Sequence, residues 1–257
     1  MPDAAETAAP IAPAAPSAAE TTAAPLPAGE GPLPPWVRPA HEHLLRADPP
    51  LAALVRRQGP VARPLTRDYF GRLVRAIVGQ QISGKAAAAI YRRLIDLAER
   101  AGGPDLPGTL AIPGTPSAPG RPGQPLMPEA LAALADDALR ACGLSLNKLL
   151  AIRDLTQRAL DGRLDLQHLD TLPDDDVRAQ LVAVRGIGRW TADMFLMFAL
   201  GRPDVLPAED LGIQVAVARL YGLNAHPTPA AIRRLAADGG WHPFATAACF
   251  HLWESLK

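Results

Sequence analysis

The residues of this 257-residue chain that could do chemistry concentrate around one short stretch. In "LVAVRGIGRWTADMF", residues 181–195, Gly186 and Gly188 flank a single isoleucine, and Asp210 follows Trp190 by twenty positions. Glycine at both places permits positive φ and leaves the backbone bare, so amide N–H groups can approach an anion closely. Those amides also open the helix predicted to begin near Arg189, where orphan donors and the helix dipole favour a phosphate. Ile187 would plug inward and hold the two helices together. The 201–207 segment is long enough to return the chain to the hairpin end, so the Asp210 carboxylate could stand beside a bound strand. Plainer readings stand next to these. The glycines also suit a tight αα-hairpin shaped by sterics alone, and an acid near "LPAE", where Pro207 is read as opening a helix that runs to Tyr221, also complements a helix dipole.

The elements that must position these groups are helical. Apolar residues recur at three- and four-residue spacing near 37–48, 50–57, 67–79, 83–101, 128–141, 147–161, 174–184, 189–200, 208–221, 228–237 and 243–256. Gly102, Gly143, Gly162, Gly201 and Gly222 each follow such a run, where a left-handed cap would sit. Alternating strands are absent, and the pattern predicts an all-α fold of ten or eleven short helices. The 189–200 helix carries Trp190, Met194, Phe195, Leu196, Met197, Phe198 and Leu200, is apolar on most faces, and must be buried.

Two segments fall outside this pattern. Residues 1–35 are mostly Ala, Pro, Thr, Glu and Gly, with Ile11, Leu26 and Leu33 as the sizeable apolar groups, and read as a disordered tail. The stretch 102–126, full of Pro and Gly, reads as a surface loop interrupting the helical region. The tail lacks the basic start and apolar block of a secretory signal, and no run reaches the length of a membrane span. An intracellular, cytoplasmic protein is expected.

The formal charge of zero hides an asymmetry, because Asp3, Glu6, Glu20 and Glu30 lie in a tail without Lys or Arg. The remainder is mildly basic, which is compatible with nucleic-acid binding without establishing it. Two cysteines, Cys142 and Cys249, are too few for a disulfide scaffold or a four-thiolate iron–sulfur cluster, and are read as structural thiols.

The longer string "VRGIGRWTADMFLMFALGRPDVLPAEDLGI" resembles the helix-hairpin-helix, Gly/Pro-rich loop and aspartate of the DNA glycosylase superfamily named for those elements. Within it the chain looks most like the DNA-3-methyladenine glycosylase II group, which removes alkylated bases. "LVRAIVGQQISGKAA" (73–87), "GLSLNKLLAIRDLTQ" (143–157) and "WHPFATAACFHLW" (241–253) resemble three further family segments, so the resemblance spans about residues 36–257.

The resemblance implies two helical lobes flanking a DNA-binding cleft, one of about 67–188 and one of 36–66 plus 189–257. It implies a monomeric, monofunctional enzyme that hydrolyses the N-glycosidic bond of alkylated bases in double-stranded DNA, with Asp210 as catalytic residue and Glu209 as a supporting helix-start acid. Trp190 stands where backbone-cutting relatives carry a lysine nucleophile. DNA contacts would come from Arg185, Gly186, Ile187, Gly188, Gln80, Gln81, Ser83 and Lys148. Trp190, Met194, Leu211 and Trp253 would line the base pocket. No cofactor is implied beyond a sodium or potassium ion held by the carbonyls of Val182, Val184 and Ile187. Taken by themselves, the tryptophans also suit a core, the Gln80–Gln81 pair could cap neighbouring backbone instead of wedging, and Lys148 could be a plain surface charge. Ala245 and Gln214 depart from the family pattern, each losing a basic residue near the presumed DNA face. The rival readings are a non-catalytic helix-hairpin-helix DNA-binding protein and a same-fold glycosylase for oxidised, deaminated or mismatched bases.

Overall fold

The computed structural model describes residues 32–101 and 126–257. Among these residues the chain is helical throughout: α1 (Val37–Leu44), α2 (Pro49–Gln58), α3 (Tyr69–Gly79), α4 (Gly84–Ala101), α5 (Pro128–Ala132), α6 (Asp136–Ala141), α7 (Leu146–Leu160), α8 (Asp174–Val182), α9 (Arg189–Phe198), α10 (Leu211–Leu220), α11 (Pro229–Asp238) and α12 (Ala245–Glu254). Helix starts follow local chemistry. Asp68, Ser145 and Thr228 accept the amides of Gly71, Lys148 and Ala231 and so satisfy orphan donors of α3, α7 and α11. Pro49 and Pro229 occupy first-turn positions where no amide is needed.

The packing falls into two groups. Helix α3 packs on α4 and α7, with α5 and α6 against α7, while α12 packs on α1, α2 and α10. Helix α9 lies against α8 and α3, and Thr191–Phe198 are all buried, as a helix apolar on most faces requires. Its Phe198 ring meets Phe250 of α12 at 5.2 Å between centroids and stacks on Trp253 at 5.9 Å. One hydrophobic core runs through both groups, so the hairpin before α9 is anchored in rigid surroundings.

Several sequence expectations need correcting. The helix read over 128–141 is broken at 133–135, because the Arg153 guanidinium takes the Leu131 carbonyl at 2.8 Å and the Leu134 carbonyl as well. A short 3-10 turn, Leu169–Thr171, went unread; Arg202 clamps it through the carbonyls of Asp170 and Leu172. The helix placed from Pro207 starts at Leu211. Both biased segments are also shorter than the composition implied. Pro34 is buried and the Pro32 carbonyl accepts the Leu65 amide at 3.1 Å, so the fold begins inside the 1–35 segment. Leu126, buried in the core, belongs to the fold and not to the insertion. The rest of the tail and insertion, with Gly102, lies outside the described residues. Cys142 and Cys249 are both buried, and among the described residues no helix is long and apolar enough to cross a membrane.

Candidate active site

Helix α8 ends at Val182 and α9 begins at Arg189, so six residues reverse the chain. Gly186 takes φ +77, while Gly188 is extended at φ −95 and caps α9. Only the first of the two glycines therefore needs left-handed freedom. At Gly188 an added Cβ would meet nothing within 4 Å, so no internal contact demands a glycine there. Its bareness instead keeps the outer face of the hairpin open. The Arg185 amide is tied to Asp154 Oδ2 at 2.7 Å, and the Ile187 amide to the Val184 carbonyl at 3.1 Å. Neither amide is left over for an anion, so a contact by Arg185 would be made with its side chain. The amides of Gly186 and Gly188, with the first amides of α9, remain outside the bonds that close the turn. Ile187 is buried, as the inward plug requires, and the Arg185 side chain is exposed. Burial works against the Asp154 carboxylate, but the Arg185 amide and the Arg158 guanidinium outweigh it and hold its pKa down.

Asp210 caps α10 from outside the helix. Its Oδ1 accepts the Ile213 amide at 2.9 Å and the Trp253 indole N–H at 2.9 Å; its Oδ2 accepts the Trp190 indole N–H at 2.7 Å. Trp190 is the second residue of α9, so the carboxylate lies one side chain away from the glycine hairpin. Gly212, two residues on, makes the arrangement possible: a Cβ there would sit 2.9 Å from Asp210 Oδ1 and 3.1 Å from the Trp253 ring. Trp253 is half-buried and Trp190 is 37% exposed, enough to offer a ring face to a ligand. Leu211 is half-buried beside them, whereas Met194 is buried in the core. Cys249 is fully buried nearby; burial first, then the charges of Asp210, Asp193 and Asp204, push its thiol pKa far up, so it stays protonated and inert. Glu209 is not a helix-start acid. It is half-exposed and paired with Arg233, and although burial works against the charge, that bond holds its pKa below the usual range.

A second group gathers around Arg185 and Gly186 of the hairpin. A cleft of about 360 Å³ is walled by Gln80, Gln81, Asn147, Lys148, Arg185 and Gly186. Asp210, Trp190 and Trp253 are not among its walls; they meet at the junction of α9, α10 and α12. The two neighbouring glutamines differ in their surroundings. Gln80 Nε2 donates to the Gly186 carbonyl at 2.8 Å, so this residue braces the hairpin. Gln81 is exposed and adopts φ +58, the one left-handed non-glycine residue among those described. Lys148 lines this cleft half-buried; its Nζ donates to the Val78 carbonyl at 2.7 Å near the end of α3, and burial lowers its pKa. Ser83 caps α4, its Oγ accepting the Ala86 amide at 3.3 Å. Ala245 is fully buried and so lies on no DNA-facing surface; the carboxylate that takes its amide, Asp204, pairs with His242 at 2.8 Å. Gln214 spends its amide on the Ala208 carbonyl at 3.3 Å. A larger cavity of about 570 Å³ near Tyr69, Met127 and Asp170 contains none of these residues.

Among the described residues no group of three or more His, Cys, Asp or Glu side chains could hold a metal ion. Backbone carbonyls are a different donor set. Val182 ends α8, where carbonyls lack intrahelical donors, and Val184 keeps one lone pair after accepting the Ile187 amide. These carbonyls and that of Ile187 are hard oxygen donors.

Comparison with known proteins agrees with this geometry. A DNA-3-methyladenine glycosylase of Schizosaccharomyces pombe is 28% identical over 192 residues, covering 74% of each chain. Two other relatives are longer, and the chain spans 62% and 38% of their lengths. Among solved structures, a DNA-3-methyladenine glycosidase from Bacillus halodurans superposes with a TM-score of 0.69 at 33% identity, covering 84% of this chain and 88% of that one. A 3-methyladenine DNA glycosylase of S. pombe in complex with abasic DNA gives a TM-score of 0.66 at 28% identity, covering 84% and 96%. The family model described as HhH-GPD superfamily base excision DNA repair protein matches residues 74–240, from within α3 through the hairpin and Asp210 to the end of α11. With a capped carboxylate one indole away from a bare glycine hairpin, and that match over most of its length, the chain belongs to the HhH-GPD superfamily of base excision DNA repair proteins.

Proposed function

We propose that this protein is a monofunctional DNA glycosylase that hydrolyses the N-glycosidic bond of alkylated purines such as 3-methyladenine and 7-methylguanine in double-stranded DNA. The observation that carries the reading is the Asp210 carboxylate, fixed by three N–H donors one side chain away from the hairpin. In the reaction the C1′–N bond breaks and its electron pair leaves with the base. The deoxyribose then carries oxocarbenium-like positive charge, and a fixed carboxylate stabilises that charge or orients the water that attacks C1′. The water's proton passes to Asp210 or to solvent, and an abasic site remains. An alkylated purine is already cationic and departs neutral, so no strong general acid is required beside Asp210. Trp190, at the head of α9, offers no amine for a Schiff base, which fits hydrolysis without backbone cutting.

DNA would be held as a phosphate against the free amides of Gly186, Gly188 and the start of α9, with Arg185 alongside. Gln81 would enter the gap left by the flipped nucleotide, and Trp190, Leu211 and Trp253 would border the base. A sodium or potassium ion on the carbonyls of Val182, Val184 and Ile187 would stiffen the hairpin and take no part in bond breaking. The resemblance to glycosylases named for 3-methyladenine, one of them solved with abasic DNA, supports this reading.

The test compares the wild type with Asp210→Asn on methylated duplex, following free base by chromatography. Release by the wild type, falling by two or more orders of magnitude in the variant at unchanged DNA affinity, is the expected result and matches the loss of a charge that stabilises a transition state. Tight binding without base release by either protein would overturn it in favour of a DNA-binding module.

A further inference from the structure

The two oxygens of Asp210 are not equivalent. Oδ1 accepts two hydrogen bonds, from the Ile213 amide and the Trp253 indole, both at 2.9 Å, and so has its in-plane lone pairs occupied. Oδ2 accepts one, from the Trp190 indole at 2.7 Å, and keeps a lone pair free. The donors come from three separate places: α10 itself, the end of α12 and the head of α9. A carboxylate on two rotatable bonds is thereby held at both oxygens. The Trp253 ring is fixed in turn by its stack on Phe198 at 5.9 Å and by Phe250 at 6.2 Å.

Gly212 shows that the Oδ1 side is built to close tolerance. Its φ is not left-handed and it lies within α10, where alanine is the better helix former by about 1 kcal/mol. What a side chain would violate is the space held by Asp210 Oδ1 and the Trp253 ring. The glycine is there for the carboxylate–indole contact and not for the backbone.

We propose that Trp190 and Trp253 are positioning residues that lock the Asp210 carboxylate, saturating Oδ1 and presenting the free lone pair of Oδ2 as the one that faces the reacting sugar or water. This rests on the reading of Asp210 as the catalytic carboxylate. An indole suits the task because its N–H is a directional donor without charge: it orients the carboxylate while leaving the negative charge for the transition state, which a cationic donor would cancel. Trp190 also stands on the same first turn whose amides would hold the phosphate, so one rigid helix sets both the grip on the strand and the aim of the carboxylate.

Three variants and one spectrum test this. Trp190→Phe and Trp253→Phe keep an aromatic ring and remove the N–H, and Gly212→Ala displaces the contact while favouring the helix. In single-turnover base release with enzyme in excess, each is expected to be slower by about ten- to a hundredfold. Affinity for a duplex carrying an abasic analogue should stay within about threefold in all three, which shows that Gly212→Ala, whose Cβ displaces the Asp210 cap, still folds and binds. In ¹H–¹⁵N spectra the protein should show four indole signals, one per tryptophan. Asp210→Asn offers one oxygen in place of two, so the Trp190 and Trp253 signals should shift, Trp190 most, while those of Trp36 and Trp241 hold still. Phe variants within twofold of the wild-type rate would overturn the proposal, as would indole signals indifferent to Asp210→Asn. A wild type that releases no base at all would instead overturn the assignment of function, and the spectra would then decide the lock by themselves.

Discussion

The side-chain amide of Gln80 donates to the carbonyl of Gly186 at 2.8 Å, bridging 106 positions of sequence and binding the turn after α3 to the glycine hairpin. The bond makes the exposed Gln81 and the hairpin amides parts of one body. Gln80→Ala should destabilise the protein by about 1 kcal/mol, the usual net contribution of one hydrogen bond. It should also weaken duplex binding several-fold, because the two contact points would move independently. Chemical denaturation and fluorescence anisotropy check both effects; unchanged binding in a destabilised protein would reduce Gln80 to a purely structural brace.

Gln81 separates side chain from backbone cleanly. Its φ of +58 is strained for a residue with a Cβ, so Gln81→Gly should leave stability unchanged or raise it by up to about 1 kcal/mol. On the proposed function the same change removes the amide that would enter the duplex, and base release should fall by about tenfold. Measured side by side, the melting temperature should hold or rise while the single-turnover rate falls.

The two hairpin glycines should respond differently to alanine. At Gly186 a Cβ meets the Ala151 methyl at 3.2 Å in a left-handed backbone, so Gly186→Ala should lose about 1–2 kcal/mol of stability. Gly188→Ala changes a cap that has open space around it, and should cost under about 1 kcal/mol. It nonetheless puts a methyl group where a phosphate would approach. Duplex affinity should therefore drop more in the Gly188 variant than its stability loss explains, and a salt titration should show a shallower slope if a phosphate contact is lost.

His251 should make the fold sensitive to acid. It is 1% exposed, its Nδ1 bonds Gln58 Oε1 at 2.7 Å, and burial, reinforced by the nearby His41 and opposed by Glu254, lowers its pKa from 6.5 to about 4. In the unfolded chain the imidazole takes its proton first. The contribution is thus complete above about pH 6.5 and lost as pH falls towards 4, at about 1.4 kcal/mol per unit. Denaturation curves from pH 7 to 4 should steepen in the wild type relative to His251→Gln, which loses packing at pH 7 but should lack this part of the decline.

The hairpin was legible in the sequence because its signals are local: glycines at fixed offsets, acidic residues opening α8, and an all-round apolar α9. Asp210 was legible as a position, though its helix was read from Pro207 when the carboxylate caps α10 from outside. What the sequence hid depends on contacts between distant helices. Nothing in "GQQIS" says which glutamine braces the hairpin, since that follows from where Gly186 lies, 106 residues on. Lys148 is followed by a helical pattern that fits a surface charge, and only the packing of α7 on α3 brings it to the Val78 carbonyl. The indole donors of Asp210 lie 20 and 43 positions away, joined to it by the packing of α9 and α12. One signal was within reach: Gly212 is a glycine inside a helix with no left-handed φ to explain it, and such a residue marks a close approach.

The left-handed backbone at Gln81 fixes where its exposed side chain leaves the turn that Gln80 ties to the hairpin. On the proposed function, a wedge set by that tie has little backbone freedom to lose on entering the duplex, and more of the cost of reaching a base falls on opening the base pair, which belongs to the DNA. Damaged bases in loosely paired surroundings, such as A·T-rich tracts or mismatches, would be found soonest, and the order of repair across a chromosome would follow the local melting of the duplex more than any change in the enzyme.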